Sequence, residues 1–222
     1  MVMTFSGFSP TAVQFFDGLA DDNSKAYWQA NRPTYDIAVK GAMEELLDEL
    51  GEFGPFKIFR PYNDVRFAKG RPPYKEQIGA AAETDGGAVH YVQLSAAGLM
   101  VGAGCYTLAS DQLTRFRAAV DDDTQGTEVA DICATLDRAG YGLSAMQSLK
   151  TAPRGVPKDH PRIEILRRKG LIAVREWDIG PWLHTRKAVS KVRTAWTDCA
   201  PLVAWLEANV GPSTLPPDDW SR

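Results

Sequence analysis

The sequence predicts an α+β fold: a single domain with a mainly antiparallel or mixed sheet covered by N- and C-terminal helices. Three observations predict it. Apolar residues recur at helical spacing over residues 10–50 and again over 110–136 and 189–206. Residues 56–106 read instead as short strands separated by turns. Helices, strands and helices thus come in blocks, not as alternating βα units. The 222 residues, 44% hydrophobic and 24% charged, suffice for one core and exclude wholesale disorder. Residues 1–212 are assigned to the domain and 213–222 to a loose C-terminal tail.

The elements follow in order. Ser9-Pro10 starts a helix, with Ser as N-cap and Pro in the first turn. Val13, Phe16 and Leu19 line it, and Asp21-Asp22-Asn23 breaks it. A short helix holds Lys25, Tyr27 and Trp28. A longer one is expected after Pro33, with Val39, Met43, Leu46, Leu47 and Leu50 as its stripe and Gly51 as its stop. Phe56 to Phe67 reads as an extended strand bent at Pro61. Ile78–Ala82 and Val89–Leu94 are further strands. Ala96-Ala97-Gly98 turns the chain into a return strand over Leu99–Tyr106, where Gly102 and Gly104 signal close backbone approach. Helices resume at Ser110 and over Val129–Leu136, stopped at Gly140. A proline-rich loop spans Thr151–Pro161, a short helix Ile163–Lys169 and a strand Leu171–Trp177. The C-terminal stripe Val189, Val192, Trp196, Cys199, Val203 and Leu206 must kink or restart at Pro201.

The net charge of −3 conceals segregation. Residues 1–56 carry 3 basic and 9 acidic side chains, 57–75 carry 6 and 1, 76–149 carry 3 and 10, and 150–193 carry 12 and 4. Two basic islands therefore stand in an acidic background, and a positive patch concentrates anions. An isoelectric point near 5.7 favours a small anion over general coating of nucleic acid. Alternatively, both islands are solvated faces paired with acidic segments. No run of about 18 apolar residues predicts a membrane span. The first residues, Met1-Val2-Met3-Thr4-Phe5-Ser6, lack a basic secretory leader, and three cysteines make no disulfide framework, so a cytoplasmic protein is expected.

The chemistry concentrates in Phe59-Arg60-Pro61-Tyr62-Asn63-Asp64-Val65-Arg66-Phe67-Ala68-Lys69-Gly70-Arg71-Pro72-Pro73-Tyr74-Lys75. As a strand of period two it places Phe59, Val65 and Phe67 on a core face. Arg60, Tyr62, Asp64 and Arg66 fall on the other, at steps of roughly 6.5–7 Å. Arginine forks suit carboxylate or phosphate, and Asp64 between two of them would stay ionised and orient both. Arg71, Tyr74 and Lys75 are placed to close over the same ligand. The competing reading is a row of ion pairs that ties the strand to its neighbours.

This segment resembles the signature of a family of bacterial and fungal proteins catalogued as domain of unknown function 2461. Arg60, Asp64, Arg66, Phe67 and Tyr74 match its pattern. Asn63 stands where the family has Arg, Gly70 where it has Asp or Asn, and Arg71 where it has Lys. Asp22-Asn23-Ser24-Lys25-Ala26-Tyr27-Trp28 with Asn31-Arg32 and Tyr35 is similar to the family's early Asn-rich aromatic stretch. Pro153-Arg154-Gly155 with His160-Pro161 is similar to its later loop. The resemblance covers roughly residues 5–185. It implies a common fold and carries no activity with it.

The function expected from these residues is recognition of a phosphate- or carboxylate-bearing ligand by Arg60, Asp64, Arg66, Arg71, Tyr74 and Lys75, with Arg154 joining from the second island. Whether the protein is an enzyme is left open; the groups offered for catalysis are Asp64 and His160. His160 reads more readily as a surface histidine capping a helix start, and His90 and His184 as structural. The alternative is a non-catalytic nucleic-acid or protein interaction module using a positive face with Trp177 and Trp182. No cofactor is assigned: Gly102-Ala103-Gly104 lacks the rest of a dinucleotide fingerprint, and no phosphate loop or nucleophile elbow exists. Cys105, Cys133 and Cys199 have no metal-ligand spacing and read as buried thiols.

Overall fold

The computed structural model of the chain describes residues 4–64, 70 and 72–216. Helices α1 (Pro10–Asp21) and α2 (Lys25–Thr34) come first. Ser24 caps α2, its Oγ accepting from the Tyr27 amide at 3.1 Å. Pro33 lies inside α2, so the expected new helix after it does not begin there. The chain continues as a π-helical stretch, Tyr35–Gly41, into α3 (Ala42–Asp48). The strands are β1 (Lys57–Ile58), β2 (Gln77–Glu83), β3 (Val89–Ser95) and β4 (Gly98–Cys105). Then come α4 (Ser110–Asp121), α5 (Asp123–Arg138), β5 (Gly142–Ser144), α6 (Ile163–Leu166) and β6 (Leu171–Asp178). The chain closes with α7 (Lys187–Asp198) and α8 (Ala200–Asn209), broken at Cys199 with Pro201 in the first turn of α8.

The described strands form a six-stranded antiparallel sheet in the order β1-β2-β3-β4-β6-β5, so the fold is α+β. Strand β5, three residues too short to show alternation, was not legible in the sequence; it pairs Gly142 with Val174 and Ser144 with Ile172. β3 alternates as expected, with His90, Val92 and Leu94 buried. The glycines of β4 have the predicted cause. A Cβ on Gly104, whose φ is +130°, would strike the Leu171 carbonyl, and one on Gly102 would sit 3.0 Å from Ile172 Cδ1.

Two compact units emerge. The first takes the described residues up to Ala82 together with Tyr91–Val101 and Glu176–Ala195. Its core gathers Phe5, Phe8, Phe16, Leu19, Val39, Met43, Leu46 and Leu50 from the N-terminal segment with Val189 and Val192 of α7. Arg186 ties its ends, donating to Glu49 Oε1 and Oε2 at 2.7 and 2.6 Å. The second comprises Glu83–His90, Gly102–Arg175 and the described residues from Trp196 onward. Its core holds Phe116, Val120, Val129, Leu136, Leu166, Trp196 and Leu206. Ser213 Oγ and the Thr214 amide each donate to Asp111 at 2.8 Å, so the start of the segment expected to be loose is fastened to α4.

The histidine in the second core gives the fold a pH dependence. His90 is buried edge-on to Trp196, ring centroids 5.4 Å apart. Burial lowers its pKa from 6.5, with Glu207 opposing. The unfolded chain therefore binds a proton that the folded one refuses, and stability falls as pH drops through 6.5 towards the lower folded value. Urea denaturation from pH 7.5 to 5 is expected to show this loss, with a smaller slope in His90→Gln.

Candidate functional site

The segment singled out in the sequence forms one arm of a short antiparallel ribbon in the first unit. Lys57 and Ile58 pair with Ala81 and Ala80, and the Phe59 amide donates to Gly79 O at 2.9 Å. Beyond it the register slips. The Lys75 amide donates to Pro61 O at 2.8 Å, the Asn63 amide to Pro73 O at 2.9 Å, and Tyr62 bridges Tyr74. Residues 76–78 therefore stand opposite Arg60 alone, a bulge that re-aims the flanking side chains.

The continuous strand from Phe56 to Phe67 is not what forms over the described residues. Regular pairing ends at Ile58, because Pro61, Pro72 and Pro73 have no amide to donate and the bulge interrupts the ladder. The expected core face is not kept. Phe59, assigned to the core, is 39% exposed, while Tyr62, assigned to the other face, is 43% exposed and meets Trp28 of helix α2, which also covers Tyr74.

Side chains before and within α2 hold the ribbon. Asn23 Oδ1 accepts from the Tyr74 amide at 3.0 Å and its Nδ2 donates to Tyr74 O at 3.1 Å, so one carboxamide acts as a missing strand partner. Asn63 Nδ2 donates to Pro72 O at 2.9 Å and to Tyr74 O at 3.2 Å. Trp28 lies flat on Tyr74, centroids 4.4 Å apart and planes 7° apart, and also meets Tyr62 at 5.7 Å and Tyr35 at 4.8 Å. The Arg32 guanidinium stands 5.9 Å over Trp28, with Nε donating to both oxygens of Asp36 at 2.9 and 2.8 Å.

Burial, with Asp36 adding to it, pushes the Tyr35 phenol up to about 12; burial and then Tyr62 raise that of Tyr74. Both stay protonated at neutral pH and are not bases there. Tyr74 is buried against Trp28, so it is a floor for the site and does not close over it.

The opposite face of the ribbon carries a groove of about 300 Å³ lined by Phe59, Lys75, Gln77, Gly79 and Tyr91. Lys75 Nζ lies 5.7 Å over the Phe59 ring, and the Phe59 and Tyr91 rings are 6.3 Å apart. Gly79 makes room: a Cβ there would sit 2.7 Å from the Tyr91 hydroxyl, which donates to Gln93 Oε1 at 2.8 Å. Arg60 beside this groove is exposed and has no carboxylate within ion-pair distance among the described residues. Asp64 is half-buried at the end of the described arm.

Arg60, Asp64, Tyr74 and Lys75 thus gather in one ribbon, as their spacing suggested; Arg66 and Arg71 lie outside the described residues. Arg154 and His160 belong to the second unit. Arg154 is exposed on its loop. His160 has an acid as its neighbour: Nε2 is 3.2 Å from Asp121 Oδ1, while Nδ1 accepts from the Arg162 amide at 3.0 Å. The acceptor role of Nδ1 leaves the proton on Nε2. Arg162 in turn donates to Val120 O at 2.7 Å and Asp121 O at 3.0 Å, closing the end of α4. Both ring nitrogens are engaged, which favours the capping reading of His160.

His184 Nδ1 lies 2.7 Å from Phe8 O, a contact between chain segments. Burial pushes the thiols of Cys105, Cys133 and Cys199 up to about 12, 11 and 12, and all three are inert at neutral pH. Among the described residues no cluster of His, Cys, Asp or Glu could hold a metal ion. None of their helices is long and apolar enough to cross a membrane.

Residues 11–205 match the family described as "Conserved hypothetical protein (DUF2461)". The chain belongs to this family. No curated protein and no solved structure matches it. The DUF2461 match spans both the ribbon and the Asn23–Tyr35 stretch that holds it, so two of the three sequence segments that resemble the family are one structural assembly.

The assembly predicts unequal costs. Trp28→Ala, at a site 3% exposed, removes the floor under two tyrosines and is expected to cost about 3–5 kcal/mol in urea denaturation. Arg32→Ala, whose ion pair is solvent-exposed, should cost under about 1 kcal/mol.

Proposed function

We propose that this protein recognises a phosphate- or carboxylate-bearing small molecule on the bulged ribbon, with Arg60 and Lys75 contacting the anion. Arg66 and Arg71 are further candidates for the same role. One observation carries the reading. Arg60 is exposed and has no carboxylate partner among the described residues, whereas other arginines of the same unit are committed, Arg32 to Asp36 and Arg186 to Glu49. A purely structural ion-pair row would have engaged Arg60 in the same way. The rings of Phe59 and Tyr91 beside Lys75 suit a ligand with an apolar or planar body attached to its anionic group. Asp64 is the carboxylate of this arm that an enzymatic version of the site would use, as an orienting group or base.

The interaction-module reading is less well supported. Trp177 and Trp182 are half-buried, and the Lys191 ammonium occupies their faces at 5.2 and 5.0 Å. These rings serve an internal contact instead of offering a stacking platform.

A thermal-shift screen against phosphate, sulfate, nucleotides, sugar phosphates and dicarboxylates tests the proposal. A ligand present at about 100 times its Kd is expected to stabilise the protein by roughly 2.7 kcal/mol. Arg60→Ala should melt like the wild-type chain alone and lose the ligand shift. An equal shift in Arg60→Ala would move the site elsewhere, and no shift from any anion would refute the proposal.

A further inference from the structure

A second surface lies in the other compact unit, remote in its chemistry from the basic ribbon. Helices α5 and α8 leave between them a groove of about 660 Å³. Its floor is apolar: Ile132 and Leu136 from α5, and Ala204, Trp205 and Ala208 from α8. Its rim holds three carboxylates, Glu128, Asp131 and Asp198, and no lysine or arginine lines it.

Helix α8, Ala-Pro-Leu-Val-Ala-Trp-Leu-Glu-Ala-Asn, has apolar residues on every face. Leu202, Val203, Trp205 and Leu206 are buried, but Pro201, Ala204 and Ala208 form an apolar line at i, i+3 and i+7 that remains exposed. A helix apolar all round is ordinarily covered all round. Trp205 is fixed beneath the groove, its Nε1 donating to Gln125 O at 3.0 Å, and Asp198 is held by the Tyr141 hydroxyl at 2.7 Å. Floor and rim are therefore both positioned by the fold. Glu128 and Asp131, three residues apart on α5, share one face and make no ion pair with described residues.

We propose that the α5–α8 groove is a docking site for an amphipathic helix of a partner protein, with an apolar stripe seated between α5 and α8 and Lys or Arg flanks meeting Glu128, Asp131 and Asp198. The trough between two helices accepts the side-chain ridge of a third. The small side chains of Ala204 and Ala208 let that ridge approach closely. The acidic rim selects the sign of the flanking charges and excludes an acidic helix by like-charge repulsion.

The test uses the full chain and two labelled peptides of roughly 18 residues, about five helical turns, with the same leucine face and either lysine or glutamate elsewhere. Fluorescence anisotropy is expected to show the Leu/Lys peptide binding at least tenfold more tightly than the Leu/Glu peptide. Asp131→Lys and Ala208→Arg, both at exposed positions, should each weaken the Leu/Lys peptide at least tenfold with the melting temperature unchanged. Arg60→Ala should leave it unaffected, which separates this surface from the anion site. Absence of binding, equal binding of both peptides, or Leu/Lys binding indifferent to the two groove variants overturns the proposal. So does a dimer in sedimentation that Ala208→Arg dissolves, since the groove would then belong to a second copy of the chain.

Discussion

The grip of Asn23 on Tyr74 is the constraint on which the candidate site depends. The ribbon is a poor sheet by itself, because Pro61, Pro72 and Pro73 supply no amide hydrogen and its register slips at Arg60. A carboxamide outside the sheet satisfies both backbone groups of Tyr74, and the Trp28 ring stacks on the Tyr74 ring beside them. Each such hydrogen bond contributes only about 1 kcal/mol net, but leaving a buried backbone group unpaired costs about 1–3 kcal/mol. The clamp thus acts chiefly by making every other arrangement of this segment expensive.

From that clamp follows the division of labour across the ribbon. Tyr62 and Tyr74 turn towards α2 and become structural, joined through Trp28 to Tyr35 where the π-helical stretch begins. Phe59 and Lys75 turn the other way, beside Tyr91. Arg60 sits at the bulge, where no ladder partner dictates its direction. One face of the ribbon is thus held by α2, and the other carries Phe59, Lys75 and Tyr91.

Much of the fold was legible in residue patterning. The stripes of α1, α4, α5 and α7, the alternation of β3, and the break before Pro201 all follow from spacing and from proline and glycine chemistry. The close approach at Gly104 was legible too, because only a residue without a Cβ fits against the Leu171 carbonyl. Strand β5 was not, since its three residues are defined by pairing with β6 alone. Pro33 misled because a proline N-terminal to a long stripe reads as a helix start, yet it lies inside α2 and the chain runs on through the π-helical stretch Tyr35–Gly41.

The site was half legible. Arg60, Asp64, Tyr74 and Lys75 do share one ribbon, but two-residue periodicity assumes an unbroken ladder, and the bulge opposite Arg60 cancels that assumption for Phe59. Asn23, Trp28 and Arg32 sit 51 to 42 positions before Tyr74, and a pattern confined to one segment cannot reveal such partners. Amide hydrogen exchange of the Asn23→Ala protein tests the central claim most directly. If the carboxamide holds the ribbon, residues 59–64 and 72–77 lose protection while β3 and β4 keep theirs. Unchanged protection across the ribbon would contradict the account.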